Sequence, residues 1–340
     1  MNNFKKIGLS ALAGSLVAVS AHAGEMAVTG GLTATYASKT GDSGKVASDH
    51  GRGFSTATDI TFTGSAELDN GWTVSGFVTQ LEGMGAISSS QMTIGMGTMG
   101  KLKINREGGG AVNALDDKLP SAWEEASDNS THDFIGENIG STNDDGAISY
   151  FLPEFEYEGN TINIGLDYDP ASGVKAGGTG STQIQGTMGT GTGIAVQVGT
   201  AYGVSAYAAA DRIDRQVTSA LLTDENNLTA GAAYTYGPVT AGFQTWYNDA
   251  GAGTHYTADG VSIAFAVNEN LSISYGEIEE TKNMGGLNSH KDIDADLKAY
   301  NVAYSMGAIA IKAHHGKTDN PDFKTGTSND MTEISVSFAF

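Results

Sequence analysis

An alternation of period two runs through nearly the whole chain and restricts its fold more than any other feature. Ile60, Phe62, Gly64, Ala66 and Leu68 alternate with Thr61, Thr63, Ser65 and Glu67. Val261, Ile263, Phe265 and Val267 alternate with Ser262, Ala264 and Ala266; Ile309, Ile311 and Ala313 alternate with Ala310, Lys312 and His314. The same pattern marks 162–168 and 271–276. Successive side chains of a strand point to opposite faces, so each segment reads as a strand with one apolar and one small or polar face. No stretch reaches 18 consecutive apolar residues, which excludes a helical membrane protein.

Turn chemistry separates the strands. Asp69-Asn70-Gly71, Gly237-Pro238 and Asn268-Glu269-Asn270 are tight connections. They alternate with long polar segments at 38–53, 107–145, 170–180, 214–225, 279–295 and 316–330. Short turns at one end of a sheet and long loops at the other are the asymmetry of a transmembrane barrel. Strands are expected near 26–37, 54–68, 72–81, 89–96, 101–106, 146–151, 161–169, 181–198, 204–213, 226–236, 239–247, 256–267, 271–278, 296–306, 308–315 and 331–340. Termini on the same side require an even number, and this count of sixteen satisfies it. The expectation is an all-β fold, a 16-stranded antiparallel transmembrane β-barrel, with lipid against its apolar face. A soluble β-sandwich would solvate the polar face instead. The Thr, Ser, Gly and Ala of that face suit a lumen better, and Tyr36, Trp72, Tyr168 and Tyr236 near strand ends suit interfacial girdles.

The first residues set the compartment. Lys5 and Lys6 precede a 13-residue apolar stretch, Ile7 to Val19, and Ala21-His22-Ala23 supplies the small residues of a cleavage site. Residues 1–23 read as a secretory signal peptide, leaving 24–340 as the barrel. Removing Lys5 and Lys6 takes the formal charge from −21 to −23. That surplus of acid argues against nucleic acid as a partner, since phosphate binding needs Lys and Arg. With no cysteine, no disulfide framework exists.

The last strand, Glu333 to Phe340, places Ile334, Val336, Phe338 and Phe340 on one face. A terminal Phe closing such a strand is similar to the assembly signal of bacterial outer-membrane barrels, here Phe338 and Phe340. Two further stretches carry a family resemblance. One is Glu67-Leu68-Asp69-Asn70-Gly71-Trp72, then Ser90-Gln91-Met92-Thr93-Ile94-Gly95, Gly100-Lys101-Leu102-Lys103, Arg106 and Asp116-Asp117. The other is Ile148-Ser149-Tyr150 with Pro153-Glu154-Phe155. The chain resembles the Gram-negative general porin family. The resemblance implies a homotrimer of barrels in the outer membrane, with the third loop folded into the lumen. One feature departs from the family: its lumen arginine cluster is thin here.

The segment 107–145, about 39 residues without clear secondary structure, would be that loop. It carries Glu107, Asp116, Asp117, Glu124, Glu125, Asp128, Asp133, Glu137, Asp144 and Asp145 against Lys118 and His132. The expected acidic side of a constriction is Glu107, Asp116, Asp117, Glu124 and Glu125; a solvated acidic surface loop is the alternative. The expected basic pore wall is Lys101, Lys103, Arg106, Lys312 and Arg52, with rim-snorkelling cations as the alternative. Acid and base across a wet opening make a transverse field that orients dipolar solutes, and the net charge favours cations.

The expected function is a water-filled channel for passive diffusion of small hydrophilic solutes and ions, with no enzyme activity, cofactor or metal. A solute-selective channel is the alternative; an outer-membrane barrel enzyme or a soluble adhesin fits less well. Gly41-Asp42-Ser43-Gly44 matches a serine-protease nucleophile motif without its companion His. Gly189 to Gly193 lacks a strand–turn–helix setting for phosphate. Asp292 to Asp296 resembles the start of a calcium loop but continues with Leu297 and Ala303 where Gly and Glu are needed.

Overall fold

The computed structural model describes residues 25–41, 50–81, 87–106, 109–128, 132–140, 145–170, 189–215, 223–249, 254–283 and 292–340. The signal-peptide stretch, Glu107, Asp144 and the Asp42-Ser43-Gly44 motif lie outside the described residues.

The alternating segments form strands β1 (Glu25–Gly41), β2 (Gly51–Glu67), β3 (Thr73–Gln80), β4 (Ile87–Gly95), β5 (Lys101–Arg106), β6 (Asp145–Phe151), β7 (Phe155–Tyr157), β8 (Asn160–Asp169), β9 (Thr190–Gly199), β10 (Val204–Asp214), β11 (Glu225–Tyr236), β12 (Val239–Asp249), β13 (His255–Ala266), β14 (Leu271–Asn283), β15 (Ile293–Met306), β16 (Ile309–Asp319) and β17 (Ser328–Ala339). Neighbouring strands pair antiparallel in chain order, with β6 and β7 both pairing with β8, and β1 also pairs with β17, which closes the sheet. At the seam Gly30 N–H donates to the Phe340 carbonyl at 2.9 Å and Phe340 N–H to the Gly30 carbonyl at 3.0 Å. A closed sheet leaves no edge of unpaired backbone groups, the condition for crossing hydrocarbon with strands.

Seventeen segments make sixteen staves. Both β6 and β7 pair with β8, Ile148 opposite Tyr168 and Phe155 opposite Ile162. Leu152-Pro153-Glu154 interrupts what is otherwise one stave, since Pro153 has no N–H to give the ladder. No helix among the described residues is long and apolar enough to cross a membrane, which says nothing of strands.

The period-two pattern sorts the faces. Outward positions include Val261, Ile263 and Phe265 on β13, Ile309 and Ile311 on β16, and Ile334, Val336 and Phe338 on β17, all substantially exposed. Aromatics edge this apolar belt. Phe155, Tyr157, Tyr202, Tyr236 and Phe340 stand at the short-turn end, and Phe54, Tyr168 and Tyr300 toward the long-loop end. Turns at the first end are tight: Gly237 (φ 59°) and Gly307 (φ 61°) take the left-handed conformation that a two-residue hairpin requires.

Several strands outrun the expected limits. β14 runs to Asn283, β15 begins at Ile293, and β16 reaches Asp319. Beyond the hydrocarbon the outward face turns polar, with Glu277, Glu279, Asp296 and Lys317 in outward register. Apolar alternation ends there although hydrogen-bonded pairing does not.

The buried apolar cluster is not between sheets. It consists of loop residues Val112, Leu115, Leu119, Phe134, Ile135 and Ile139 against inward wall residues such as Tyr207, Trp246, Ile278 and Leu297. The loop between β5 and β6 therefore lies inside the barrel and supplies half of its core.

Candidate functional site

The loop holds itself to the wall through its own backbone. Its only regular structure among the described residues is two short 3-10 turns, Asn113–Leu115 and Ile135–Asn138. A chain without secondary structure must satisfy its N–H and C=O groups elsewhere when it is buried. The inward side chains of the barrel do this. Asp167 on β8 accepts the N–H groups of Ala111 and Val112 at 2.9 and 2.8 Å. Gln244 on β12 accepts Lys118 N–H at 2.8 Å, and its Nε2 lies 2.9 Å from the Asp116 carbonyl. Trp246 Nε1 donates to the same carbonyl at 2.6 Å. Further along, Ser274 on β14 accepts Ala122 N–H at 2.9 Å and Asn301 on β15 donates to the Glu124 carbonyl at 2.7 Å. Small wall residues let the loop approach closely. A Cβ on Gly242 would come within 2.4 Å of Pro120, and one on Gly260 within 2.7 Å of Leu119.

The loop then returns along the same wall. His132 Nδ1 accepts Asp322 N–H at 2.9 Å, so a neutral ring carries its proton on Nε2, which lies 2.7 Å from Glu280 Oε2 on β14. Phe134 packs edge-on against Trp246 with centroids 5.1 Å apart. Gly140 N–H reaches Asp211 on β10 at 2.9 Å.

At the turn of this path the acids gather. Ligand oxygens of Glu124, Glu125 and Asp128 all lie within 4.8 Å of one another. Asp128 also accepts Glu125 N–H at 2.6 Å, and Asp117 takes the Ser127 hydroxyl at 3.1 Å. Asp116 and Asp117 line, with Asp128, Ser127, Phe134 and Gly136, a cavity of about 290 Å³. Crowded carboxylates of one sign resist ionisation. Burial, then the Asp128 charge, pushes Asp117 up to about 7. Burial, then a hydrogen bond with Asp128, pushes Glu124 up to about 8. Burial, then the Asp117 charge, pushes Glu125 up to about 10.

The expected basic wall divides. Lys101 and Lys103 take inward positions on β5, each with its Nζ about 5 Å from the Phe151 ring centroid. Lys312 also points inward, but its Nζ sits 5.7 Å above the ring of loop residue Trp123. It therefore accompanies the acids rather than facing them. Arg52 is a correction. It pairs with Ser38 and shares the outward parity of Phe54, so it lies on the outside of the barrel. Arg106 pairs with Ser90 on the outward parity of β4 and β5, after a register shift against β6, and does not join Lys101 and Lys103. Lys39, inward on β1 beside Met331 in the register, was not expected. Nor were the loop anchors Asp167, Gln244 and Trp246. Gln244 and Trp246 could have been noticed as bulky inward residues that follow two small ones, Thr240 and Gly242, on the same face of the stave.

The other motifs resolve as strand. Gly191 to Gly193 belong to β9, and Asp294 and Asp296 lie in β15 on one outward face. His314 points inward against Trp123 and His315 points outward against Tyr300.

Comparisons with known proteins agree with this architecture. A family model described as Gram-negative porin matches residues 8–340. OmpF of Salmonella typhi, solved in complex with daunomycin, superposes with a TM-score of 0.68 at 13% identity, covering 93% of this chain and 97% of that one. An anion-selective porin from Comamonas acidovorans superposes with a TM-score of 0.66 at 14% identity, covering 94% of this chain and 100% of the other. A trimer form of OmpT, an outer-membrane protein of Vibrio cholerae, gives 0.62 at 12% identity over 94% of this chain and 100% of that one. No curated protein matches the sequence. The barrel, its inward loop and the family match lead to one conclusion: this chain belongs to the Gram-negative porin family and is a β-barrel of the outer membrane.

Proposed function

We propose that the chain forms a water-filled channel for passive diffusion of small hydrophilic solutes, favours cations, and catalyses no reaction. The observation that carries this reading is the placement of the acidic loop. Asp116, Asp117, Glu124, Glu125 and Asp128 lie inside the barrel on a segment tied to the wall by Asp167, Gln244 and Trp246. The loop narrows the interior and brings its charges to the passage. Lys101 and Lys103 on β5 supply opposite charge on the inner wall. Glu107 completes the proposed acidic set, and Lys312 moderates it from within.

The fold alone does not set the sign of selectivity, since an anion-selective porin shares it. Charge decides. The mature chain carries a formal −23 once Lys5 and Lys6 are removed from −21, and a negatively lined, water-filled passage concentrates cations. Zero-current potentials across a KCl gradient at low salt should give a potassium-to-chloride permeability ratio above one. A ratio below one overturns the cation preference.

We also propose a homotrimer. A trimeric relative shares the fold, and exposed Met26, Val28, Phe54 and Phe62 on β1 and β2 offer an apolar outer face for a neighbouring copy. Cross-linking of the detergent-extracted protein should yield three-chain species; a monomer alone would overturn this.

A further inference from the structure

We propose that the loop between β16 and β17 carries Phe323 into the outer mouth of the barrel, where Phe323, Tyr256 and Lys282 filter solutes ahead of the acidic loop. The filter rests on the channel reading. Its structural basis is a segment, 320–327, that folds back on itself. Asn320 closes the fold: its N–H donates to the Thr327 carbonyl at 2.8 Å, and its side-chain oxygen accepts Gly326 N–H at 2.8 Å. Its Nδ2 donates to the Asp294 carbonyl of β15 at 2.9 Å. Pro321 is buried as a result, and Phe323 turns inward. The Phe323 ring lies 5.2 Å from that of His132, on the constriction loop, and 5.6 Å from that of Tyr256, inward on β13. Asp322 N–H donates to His132 Nδ1 at 2.9 Å, so one loop rests on the other.

The backbone is strained where the ring is delivered. Asn320, Asp322 and Phe323 take φ of 53°, 51° and 59°. Asn and Asp tolerate the left-handed region; a bulky Phe seldom enters it, and persists there only when its surroundings hold it. A turn that merely joined two strands would use Gly, as at Gly237 and Gly307. The contacts of the Phe323 ring offset the strain. Lys282 completes the group. It pairs with Tyr256 one inward row farther out than Glu280 and Ala258. Its Nζ lies 5.6 Å from the ring centroids of both Tyr256 and Phe323, within cation–π reach, and it pairs with no carboxylate among the described residues. All three side chains are half-buried and keep a face toward water. The two rings narrow the mouth and make one side of it apolar. The ammonium opposes entering cations and attracts a solute's anionic group. The group therefore retards bulky neutral solutes and moderates the cation preference set by the acids below it.

The test compares the intact protein with single variants in planar bilayers and in liposomes swelling in neutral sugars. Phe323→Asn keeps a residue that suits the left-handed backbone and removes the ring. Single-channel conductance should rise, and the swelling rate for a disaccharide relative to a monosaccharide should increase by about twofold or more. Lys282→Gln should raise the potassium-to-chloride permeability ratio by about twofold or more at low salt, with the difference shrinking in concentrated salt. Lys298→Gln, on the outer face of β15, and Thr325→Ala, at the exposed tip of the loop, should change neither readout. Should Phe323→Asn fail to fold, as judged by heat-modifiable gel mobility, Tyr256→Ala carries the same sieving expectation. Failure of the unaltered protein to conduct overturns the channel reading, and the filter with it. Conduction by the unaltered protein with sieving and selectivity unmoved in the Phe323 and Lys282 variants overturns the filter alone.

Discussion

The side-chain oxygen of Gln244 accepts the backbone N–H of Lys118 at 2.8 Å, across 126 residues of sequence. The same oxygen accepts the Tyr207 hydroxyl at 2.8 Å, and Nε2 lies 2.8 Å from Thr229 Oγ1 and 3.0 Å from the Leu115 carbonyl. One fully buried amide thus joins the loop to three staves. Gln244→Leu keeps the volume and removes every bond. Each buried polar group left unpaired costs about 1–3 kcal/mol. The barrel should still form, because its ladder is untouched, while the loop loosens. Single-channel traces should show greater conductance and more current noise than the unaltered protein; unchanged traces would deny Gln244 this role.

Asp167 holds the beginning of the loop through two N–H groups, those of Ala111 and Val112. Asp167→Asn keeps one acceptor and turns an amide NH₂ toward the second donor. The loss should be about 1–3 kcal/mol of local docking. Hydrogen exchange at Ala111 and Val112 should accelerate by about fivefold or more, since each 1.4 kcal/mol is a factor of ten.

Lys101 and Lys103 both reach the Phe151 ring from inward positions. Replacing both with Gln removes two positive charges from the lumen without touching the loop. The potassium-to-chloride permeability ratio should rise, by about twofold or more at low salt, and the difference should shrink in concentrated salt. Arg52→Gln, on the outer face, should leave the ratio unchanged. Reversal potentials of the three proteins check both statements.

Selectivity should also follow pH. Asp117 is pushed up to about 7 and Glu124 to about 8, so in chelator both are largely neutral at pH 6 and charged at pH 9. Lys312 opposes this and Glu333 reinforces it. Cation preference should increase over that interval. Loop docking should change in the opposite sense. The docked loop binds protons that a released loop, with ordinary carboxylates, would have lost. That contribution is complete below the ordinary carboxylate range and is lost as pH rises through about 7 to 8. Permeability ratios and current noise measured together at pH 6 and pH 9 test both signs.

The barrel was legible in the sequence because lipid on one side and water on the other force a strict two-residue period. Strand β5 was expected at 101–106 and is found as Lys101–Arg106. The strand ends were less legible. The outward residues of β14 and β15 become Glu277, Glu279, Asp296 and Lys298 where the wall leaves hydrocarbon, and hydropathy no longer marks a strand there. Strand β7 was hidden by Pro153, which breaks the stave but not the wall. For strand β9 the expected stretch 181–188 lies outside the described residues, and the described strand runs Thr190–Gly199.

The loop's acids were legible as a charge run bracketed by two family-like stretches. Their anchors were not. The partners of Lys118 and Ala111 lie 126 and 56 residues away. Parity within a strand assigns a side chain to a face, but it does not say what that face touches. Lys312 illustrates the limit: its inward direction followed from Ile309 and Ile311, whereas its place above Trp123 follows only from the path of the loop. Arg52 failed because parity was not carried from Phe54 to the end of β2.

Because the chain contains no cysteine, one introduced thiol reports its own surroundings without background. Ala114 is exposed on the inward-folded loop. With Ala114→Cys in a planar bilayer, a bulky water-soluble thiol reagent should lower single-channel current permanently, and a cationic reagent should react faster than an anionic one of equal size. Complete labelling with no change in current would contradict the placement of this loop in the conducting path.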